Sequence, residues 1–330
     1  MDSSRMTLQQ AIVHFSNPDN CVKYMVQQRW PDGVVVCPTC GRKDVSWLAN
    51  QRKWQCKSKH VKHQFSAKVG TIFEDSPLGL DKWILATWMI TNCKNGVSSY
   101  EIARNIGVTQ KSAWFMLHRI RLAMKDASPM MLGGSGSPVQ MDESYHGGVP
   151  QKMHKERRLK LQRERNEVSS AQHPGVTPGK TAVFGMIESG TKQVRAMVLP
   201  NVKRSTVMEV ILDNVGFGST IHTDQHPVYQ GMPKQFVHET VNHMREYVTE
   251  TGIHTQAIEN FWSCLKRTLR GTYVAVEPFH MDAYLDEQCF RFNNRINKTD
   301  SQRFAKVLGQ VAGKRLTYAG LIGKGGQTAF

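Results

Sequence analysis

Residues 139–148, VQMDESYHGG, decide the fold class of this 330-residue chain. The stretch is short and lies between turn residues, Ser137-Pro138 before it and Gly147-Gly148 at its end, which is typical of a β-strand. Three stretches of the same character follow at 181–189 (TAVFGMIES), 193–200 (QVRAMVLP) and 219–226 (STIHTDQH). Helical patterns are found at about 205–214, 253–270 and 279–294. This order predicts a mixed α/β domain over residues 138–300, with helices flanking a sheet.

The rest of the chain divides by composition into smaller segments. We predict an N-terminal helical segment at 1–33, a short Cys-bearing segment at 34–70, a helical domain at 78–126, a Gly/Ser/Pro-rich linker at 127–137 and a C-terminal tail at 301–330. The predicted fold class is therefore multidomain, α+β and α/β.

The charge of the chain predicts an acidic polymer as partner. Forty-three Lys and Arg against 27 Asp and Glu leave a net charge of +16. No stretch approaches 18 consecutive apolar residues, and the N-terminus lacks the apolar core of a signal peptide. We therefore expect nucleic acid rather than a membrane as partner. The seven cysteines, of which only three are grouped, indicate a reducing compartment and a metal site rather than a disulfide framework.

Those three cysteines form a candidate zinc site. Cys37 and Cys40 belong to a C-P-T-C-G knuckle, in which two thiolates three positions apart can face one tetrahedral ion. Cys56 begins a second half that lacks its own second cysteine. An imidazole completes a Cys₃His set, with His60 preferred as the fourth ligand and His63 as the alternative. A ribbon of this size depends on one structural Zn²⁺ to fold.

Residues 95–124 predict two helices joined by a short turn that contains glycine. The first helix runs from about Ser98 to Ile106, and the second runs from Thr109 through Arg121. An ordinary α-hairpin shares this apolar pattern, but the following basic residues and the overall charge favour a DNA-binding helix-turn-helix. The predicted DNA contacts on the second helix are Gln110, Lys111, Ser112, Arg119 and Arg121.

Three carboxylates that are far apart in sequence have the character of a metal site. Asp142 and Asp224 lie in half-buried strands, where a carboxylate is costly unless it is paired or metal-bound. Glu259 opens the helix AIENFWSCLKR at 257–267. Such oxygen ligands suit two Mg²⁺ or Mn²⁺ ions that could support in-line phosphoryl transfer. Lys266 lies seven residues after Glu259 and therefore on the same helical face, where it can contact a phosphate.

The choice among acids is not forced by spacing alone. Taken singly, each acid is more often a strand-end or cap residue, and Glu143 adjoins Asp142. Arg267 and Arg270 follow Lys266 and are predicted to contact DNA with it. The basic, then Pro/Gly-rich segment at about 150–180 is either a solvated loop or a nucleic-acid-binding arm.

Taken together, the motifs resemble the zinc-ribbon DDE transposases of bacterial insertion sequences, relatives of the eukaryotic Merlin elements. The resemblance spans about residues 20–320 in order and includes CPTCG (37–41), EIARNIGVTQKSAWFMLHRIR (101–121), MDESYHGG (141–148), HTDQHPVY (222–229), HTQAIENFWSCLKR (254–267) and YLDEQCFRFNNR (284–295). One departure is Lys59, which stands where a second zinc knuckle would have cysteine.

The resemblance implies a ribonuclease-H-like catalytic domain with two divalent ions, and an enzyme that cuts DNA and transfers a strand. Terminal inverted repeats and target DNA would be its partners, at least a homodimer its active form, and the bacterial cytoplasm, at the nucleoid, its location. Carried over to this chain, the acids are Asp142, Asp224 and Glu259, followed by the basic Lys266. Asn260 is the alternative third ligand, since some family members have Asn there.

Two other functions remain open from the sequence. One is a non-catalytic DNA-binding regulator that retains the recognition modules, and the other is a related nuclease that hydrolyses nucleic acid without strand transfer. The presence of all three acids disfavours the first, and a strand-joining assay separates the second from a transposase.

Overall fold

The structure is a computed structural model that describes residues 5–126, 130–134, 136–147, 154–156, 158–160, 163, 180–241 and 254–324. The chain forms two compact units. Residues 1–126 and 294–330 make up the first, here called the ribbon unit, and residues 127–293 make up the second, the sheet unit. Most of the basic segment at 150–180 lies outside the described residues.

Two short helices open the ribbon unit where the sequence shows one interrupted pattern. Helix α1 is Leu8–Phe15 and helix α2 is Pro18–Arg29. Asn17 accepts a hydrogen bond from the backbone of Asp19 and so caps α2, and Pro18 occupies the first helical position, where its missing N–H costs nothing. The break in the apolar pattern is therefore a helix boundary.

A three-stranded antiparallel sheet follows, with strand order β1-β2-β3. Its strands are β1 (Val45–Leu48), β2 (Lys53–Cys56) and β3 (Gln64–Phe65). Trp54 is 7% exposed and stacks on Phe65 with the ring centroids 5.8 Å apart. Since strands this short bury few side chains, the sheet needs a further source of stability.

Helices complete the ribbon unit. They are α3 (Leu80–Asn92), α4 (Ser99–Ile106), α5 (Gln110–Met124), α9 (Asp300–Gly309) and α10 (Tyr318–Leu321). Ser98 and Glu101 form a capping box at the start of α4. Gly107 ends α4 with φ of +63°, a conformation in which a side chain would be strained. The predicted helix, short turn and second helix are thus present, whereas a recognition role for α5 stays a prediction.

The sheet unit is built on one mixed five-stranded sheet with strand order β6-β5-β4-β7-β8. The strands are β4 (Val139–Gly147), β5 (Lys180–Glu188), β6 (Val194–Val198), β7 (Thr220–Asp224) and β8 (Val237–Val241). Strands β4, β5 and β6 are antiparallel neighbours, and β7 is parallel to both β4 and β8. Strand β8 was not predicted from the sequence, because this edge strand is mostly polar and only Val241 is fully buried.

Helices cover both faces of this sheet. Helix α6 (Arg204–Asn214) packs on the face that includes Val139 and Met141, whereas α7 (Gln256–Thr268) and α8 (Met281–Asn293) pack on the other. The predicted mixed α/β unit with flanking helices is confirmed. Among the described residues, no helix combines the length and the apolar character needed to cross a bilayer.

Candidate active site and metal centre

Four side chains of the ribbon unit converge as a closed metal site. The ligand atoms of Cys37, Cys40, Cys56 and His60 all lie within 4.8 Å of one another. Cys37 Sγ is 3.5 Å from His60 Nε2, and Cys40 Sγ is 3.6 Å from Cys56 Sγ. A tetrahedral Zn²⁺ with standard bonds of about 2.3 Å to sulfur and about 2.0 Å to nitrogen separates its ligands by roughly 3.5–3.8 Å. The donor set therefore fits one structural zinc ion.

Local backbone geometry explains which residues reach this site. The Gly41 N–H donates to the Cys37 carbonyl at 2.9 Å, with Gly41 at φ of +74°, and this closes the knuckle. The Cys56 N–H donates to the His63 carbonyl at 2.7 Å, so the loop between them folds back and presents His60 to the sulfurs. The His63 side chain is exposed. The prediction of His60 as fourth ligand is confirmed, and His63 is set aside.

Two arginines predicted to bind DNA are instead interior. Arg119 is 6% exposed and Arg121 is 1% exposed. The Arg119 guanidinium donates to the carbonyls of Leu316 at 3.0 Å, Ile72 at 3.0 Å and Glu74 at 2.8 Å. The prediction of Arg119 and Arg121 as DNA contacts is wrong, because the second half of α5 passes through the core of the ribbon unit. Arg119 thereby ties the turn at 72–75 and the segment around Leu316 to that core.

The first turn of α5 stays at the surface. Gln110 donates to the Ser99 hydroxyl at 2.9 Å and so joins α5 to α4. Lys111 is exposed, with its Nζ 4.9 Å from the ring centroid of Tyr318. The backbone N–H of Ser112 donates to the hydroxyl of the cap residue, Thr109. A DNA contact through Gln110, Lys111 and Ser112 remains a prediction.

In the sheet unit, strand pairing brings two distant acids side by side. Strands β4 and β7 are parallel, with Val139 opposite Ile221 and Gln140 opposite His222. Two residues further along, the same register makes Asp142 level with Asp224. Accordingly, the charge of Asp224 is one of the causes that raise the pKa of Asp142.

The electrostatics of β4 are those of crowded carboxylates. Burial, followed by the charges of Glu143 and Asp224, raises the pKa of Asp142 to about 7. Burial, with a contribution from Asp224, raises the pKa of Glu143 to about 7 as well. Glu143 was noted in the sequence only as a neighbour, yet its Oε1 is buried and has no hydrogen-bond partner. A cluster of buried carboxylates of this kind fits a divalent cation with oxygen ligands.

Asp142 and Glu259 line one cleft of about 490 Å³ between β4 and α7. Its other lining residues are Trp262, Ser263, Lys266, Arg267 and Arg270. Glu259 and Lys266 therefore share a face of α7, whereas the neighbouring Asn260 is exposed and does not line the cleft.

The acids are near one another but do not form a closed single-ion site. Among the described residues, only the Cys₃His group brings its ligand atoms within 4.8 Å of one another, so Asp142, Asp224 and Glu259 are more widely spaced. The Glu259 carboxylate accepts a hydrogen bond from the Thr255 hydroxyl at 3.0 Å.

Both oxygens of Asp142 are held by neighbouring donors. Its Oδ1 accepts from the Glu143 N–H at 2.9 Å, and its Oδ2 accepts from the Trp262 indole N–H at 3.0 Å. Trp262 is absent from the site residues predicted from the sequence, because an apolar ring that also donates a hydrogen bond shows no distinct sequence signal.

Positive charge lies along the same cleft. Lys266 and Arg267 are exposed on α7, and Arg270 is exposed in the helical turn that follows its last residue, Thr268. Burial, with the charges of Lys266 and Arg270, lowers the pKa of His146 to about 4, so this histidine is neutral at physiological pH. The cleft thus combines oxygen ligands suited to metal ions with cations suited to phosphates.

Comparisons with known proteins match both units. The model of the ISXO2-like transposase domain family matches residues 131–293, and that of the transposase zinc-ribbon domain matches residues 16–60. A transposase-like protein of Haemophilus influenzae is 31% identical over 103 residues, which cover 31% of this chain and 82% of that protein.

Two further similarities extend over more of the chain. A protein in transposable element ISH50 of Halobacterium salinarum is 25% identical over 260 residues, which cover 77% of this chain and 84% of that protein. A chain of the simian T-cell lymphotropic virus intasome, in complex with PP2A regulatory subunit B56 gamma, aligns with a TM-score of 0.30 and 13% identity over 66% of this chain and 74% of that chain.

Proposed function

The chain belongs to the ISXO2-like transposase family, and from that premise we propose that it is a DNA transposase that cuts and joins DNA. It binds the terminal inverted repeats of an insertion sequence and catalyses metal-dependent cleavage and strand transfer by in-line phosphoryl transfer. The observation that carries the proposal is the single cleft that Asp142, Glu259 and Lys266 line together. A sheet of three antiparallel and two parallel strands with helices on both faces supports a ribonuclease-H-like assignment.

In this proposal Asp142, Asp224 and Glu259 hold two Mg²⁺ or Mn²⁺ ions. Bound there, the ions would lower the pKa of the attacking hydroxyl and offset charge on the leaving oxygen. The three acids suit this task because their oxygens are hard ligands, and a bound cation would offset the charge repulsion by which Asp224 raises the pKa of Asp142. Asn260 suits the role of third metal ligand less well than Glu259, since its side chain does not line the cleft.

The basic residues at the end of α7 and just after it hold the DNA backbone in the same scheme. Lys266, Arg267 and Arg270 bind phosphates next to the scissile one, which orients that phosphate for attack. In the first step the oxygen of water bonds to phosphorus, the P–O3′ bond breaks, and the released 3′-oxygen takes up a proton. In the second step that 3′-hydroxyl attacks a target phosphodiester, so one P–O bond forms as another breaks.

A cleavage and joining assay tests the proposal. The full chain, loaded with zinc, is incubated with Mg²⁺ or Mn²⁺, a supercoiled plasmid that carries its own gene with flanking DNA, and a second plasmid as target. We expect nicked and joined products from the parent protein. Asp142→Ala, Asp224→Ala and Glu259→Ala should each lower the rate by at least about 10³-fold, since each removes a metal ligand.

Asn260→Ala is the matched control, because it changes the next residue of the same helix and should retain activity. Parent-like cleavage by Asp142→Ala and Asp224→Ala would overturn the site. Cleavage without joining would identify a nuclease, and metal-independent DNA binding without cleavage would identify a regulator.

A further inference from the structure

Helix α7 begins without a cap of its own. The first N–H groups of a helix have no partner within it, and the residue before the helix usually accepts from one of them with its side chain. Thr255 occupies that position but makes no such bond. Its hydroxyl donates to Glu259 Oε1 at 3.0 Å instead.

A glutamine from the central strand supplies the missing acceptor. Gln140 Oε1 accepts from the Ala257 N–H at 2.9 Å and the Ile258 N–H at 3.3 Å. Backbone N–H groups only donate, so the side-chain oxygen of Gln140 must be the atom that faces them. The Nε2 atom then donates to Ser189 Oγ at 3.0 Å and to His254 Nδ1 at 3.2 Å. Gln140 is 0% exposed, and these contacts fix its amide in one orientation.

A second contact joins the same two elements one turn further along the helix. The Trp262 indole donates to Asp142 Oδ2 at 3.0 Å. Its ring lies against Gly185, which is opposite Asp142 on β5, and a Cβ atom there would come within 2.5 Å of the ring. The helix can approach the sheet this closely because position 185 has no side chain. Gln140 and Trp262 therefore hold α7 to β4 on either side of Glu259.

We propose that Gln140 is a positioning residue, which fixes the first turn of α7, and Glu259 with it, relative to Asp142. Gln140 and Asp142 are two residues apart on β4 and so share a face of the sheet. The side-chain oxygen of Gln140 is the acceptor that the first turn of the helix needs. The inference rests on the proposed function, in which Asp142 and Glu259 hold the same ions.

Measuring Mn²⁺ affinity distinguishes a Gln140 that positions Glu259 for metal binding from a Gln140 that only stabilises the fold. The zinc-loaded full chain is titrated with Mn²⁺, free metal is followed by electron paramagnetic resonance, and melting temperature is measured in parallel. Gln140→Met has similar volume but no acceptor, and we expect it to weaken Mn²⁺ binding about tenfold, as is typical when a partner that orients a ligand is lost. Gln140→Glu retains an oxygen at the same reach and should bind Mn²⁺ about as tightly as the parent.

Ser189→Ala is the control, since it removes a partner of the amide nitrogen and leaves the helix contacts in place. If Gln140→Met does not fold, Gln140→Asn carries the test, because it keeps the amide but is too short to reach α7. Parent-like Mn²⁺ affinity in the folded variant, even with a lower melting temperature, would overturn the proposal. An equal loss of Mn²⁺ affinity in Gln140→Met and Gln140→Glu would also overturn the proposal.

Failure of the proposed function gives a different result. In that case the parent itself would bind Mn²⁺ no better than Asp142→Ala does. A parent that binds Mn²⁺ and loses it on Asp142→Ala, together with an unaffected Gln140→Met, would refute only the positioning role.

Discussion

Asp142 and Glu143 are adjacent acids in a strand whose other side chains are mostly buried. Burial disfavours the charged form of each, and Asp224 adds repulsion, so the pKa of each is about 7 in the folded chain. In the unfolded chain the same groups titrate near pH 4. The crowded carboxylates therefore lower the stability of the metal-free fold, and a bound cation offsets that cost. Functional sites commonly reduce the stability of a protein in this way.

We expect the metal-free sheet unit to lose stability as the pH rises from about 4 to about 7. The unfolded carboxylates release their protons first, whereas the folded ones keep them to about pH 7. Unfolding in this window therefore releases protons, and a higher pH favours the unfolded chain. Melting temperatures of the parent and of Asp142→Asn, measured without Mg²⁺ from pH 5 to 8, check this.

The variant should become the more stable of the two as the pH rises, by on the order of 5 °C at pH 8. Because other titrating groups are common to both proteins, the difference isolates Asp142. Mg²⁺ should reduce the difference in melting temperature between the two proteins, because it stabilises only the parent. A difference that does not vary with pH would contradict the assignment of the raised pKa.

At the scale of the element, short segments rely on partners that are remote in sequence. Strands β1, β2 and β3 contain four, four and two residues, and Trp54 and Phe65 make up much of what they bury. Helix α7 takes its cap from β4 rather than from Thr255. Metal ligation stabilises the three short strands, and the buried amide of Gln140 caps α7. In neither case does the local sequence supply this stabilisation.

His60→Ala should weaken zinc binding by roughly 100-fold, since one of four ligands is lost from a site whose binding energy is also folding energy. Loss of the ion should also change the emission of Trp54, which lies in β2 and stacks on Phe65 of β3 in the sheet that the metal stabilises. His63→Ala is the matched control and should keep its zinc. Metal content by mass spectrometry and tryptophan fluorescence are the measurements. Equal zinc loss in the two variants would contradict the assignment of the fourth ligand.

At the scale of the whole molecule, the excess of positive charge is the dominant property. The net charge is +16, and both units carry exposed cations, among them Lys111 on α5 and Lys266 on α7. Not every cation contributes to a binding surface, because Arg119 and Arg121 are used inside the ribbon unit. The charge available to a polyanion is thus smaller than the composition indicates.

DNA binding by the full chain should weaken steeply with salt, because phosphate contacts release condensed counterions. With six to ten such contacts the affinity falls by about 10³–10⁵ between 50 and 200 mM salt. A triple variant of Lys266, Arg267 and Arg270 to Ala should reduce the slope of log K against log salt by about 3. Fluorescence anisotropy over a salt series measures both slopes. If the DNA affinity of the parent did not change with salt concentration, the inference that its basic residues bind DNA phosphates would be wrong.

The features that the sequence determined by itself depend on residues close together in the chain. Helix caps such as Ser98, the break at Pro18 and the Cys37–Cys40 knuckle follow from backbone geometry within a few positions. Four of the five strands of the large sheet were predicted because each carries its own β-branched pattern. Residue type and surroundings made Asp142, Asp224 and Glu259 candidates, but the spacing in the sequence did not force the choice among acids.

Only the tertiary structure decided which side chains meet. The pairing of β4 with β7 brings Asp142 level with Asp224, and the packing of α7 on β4 brings Glu259 into the same cleft. It also buries Arg119 and gives Gln140 its partners. These outcomes depend on contacts between segments that are often more than a hundred residues apart. A residue's type is local, whereas its burial and its neighbours are properties of the folded chain.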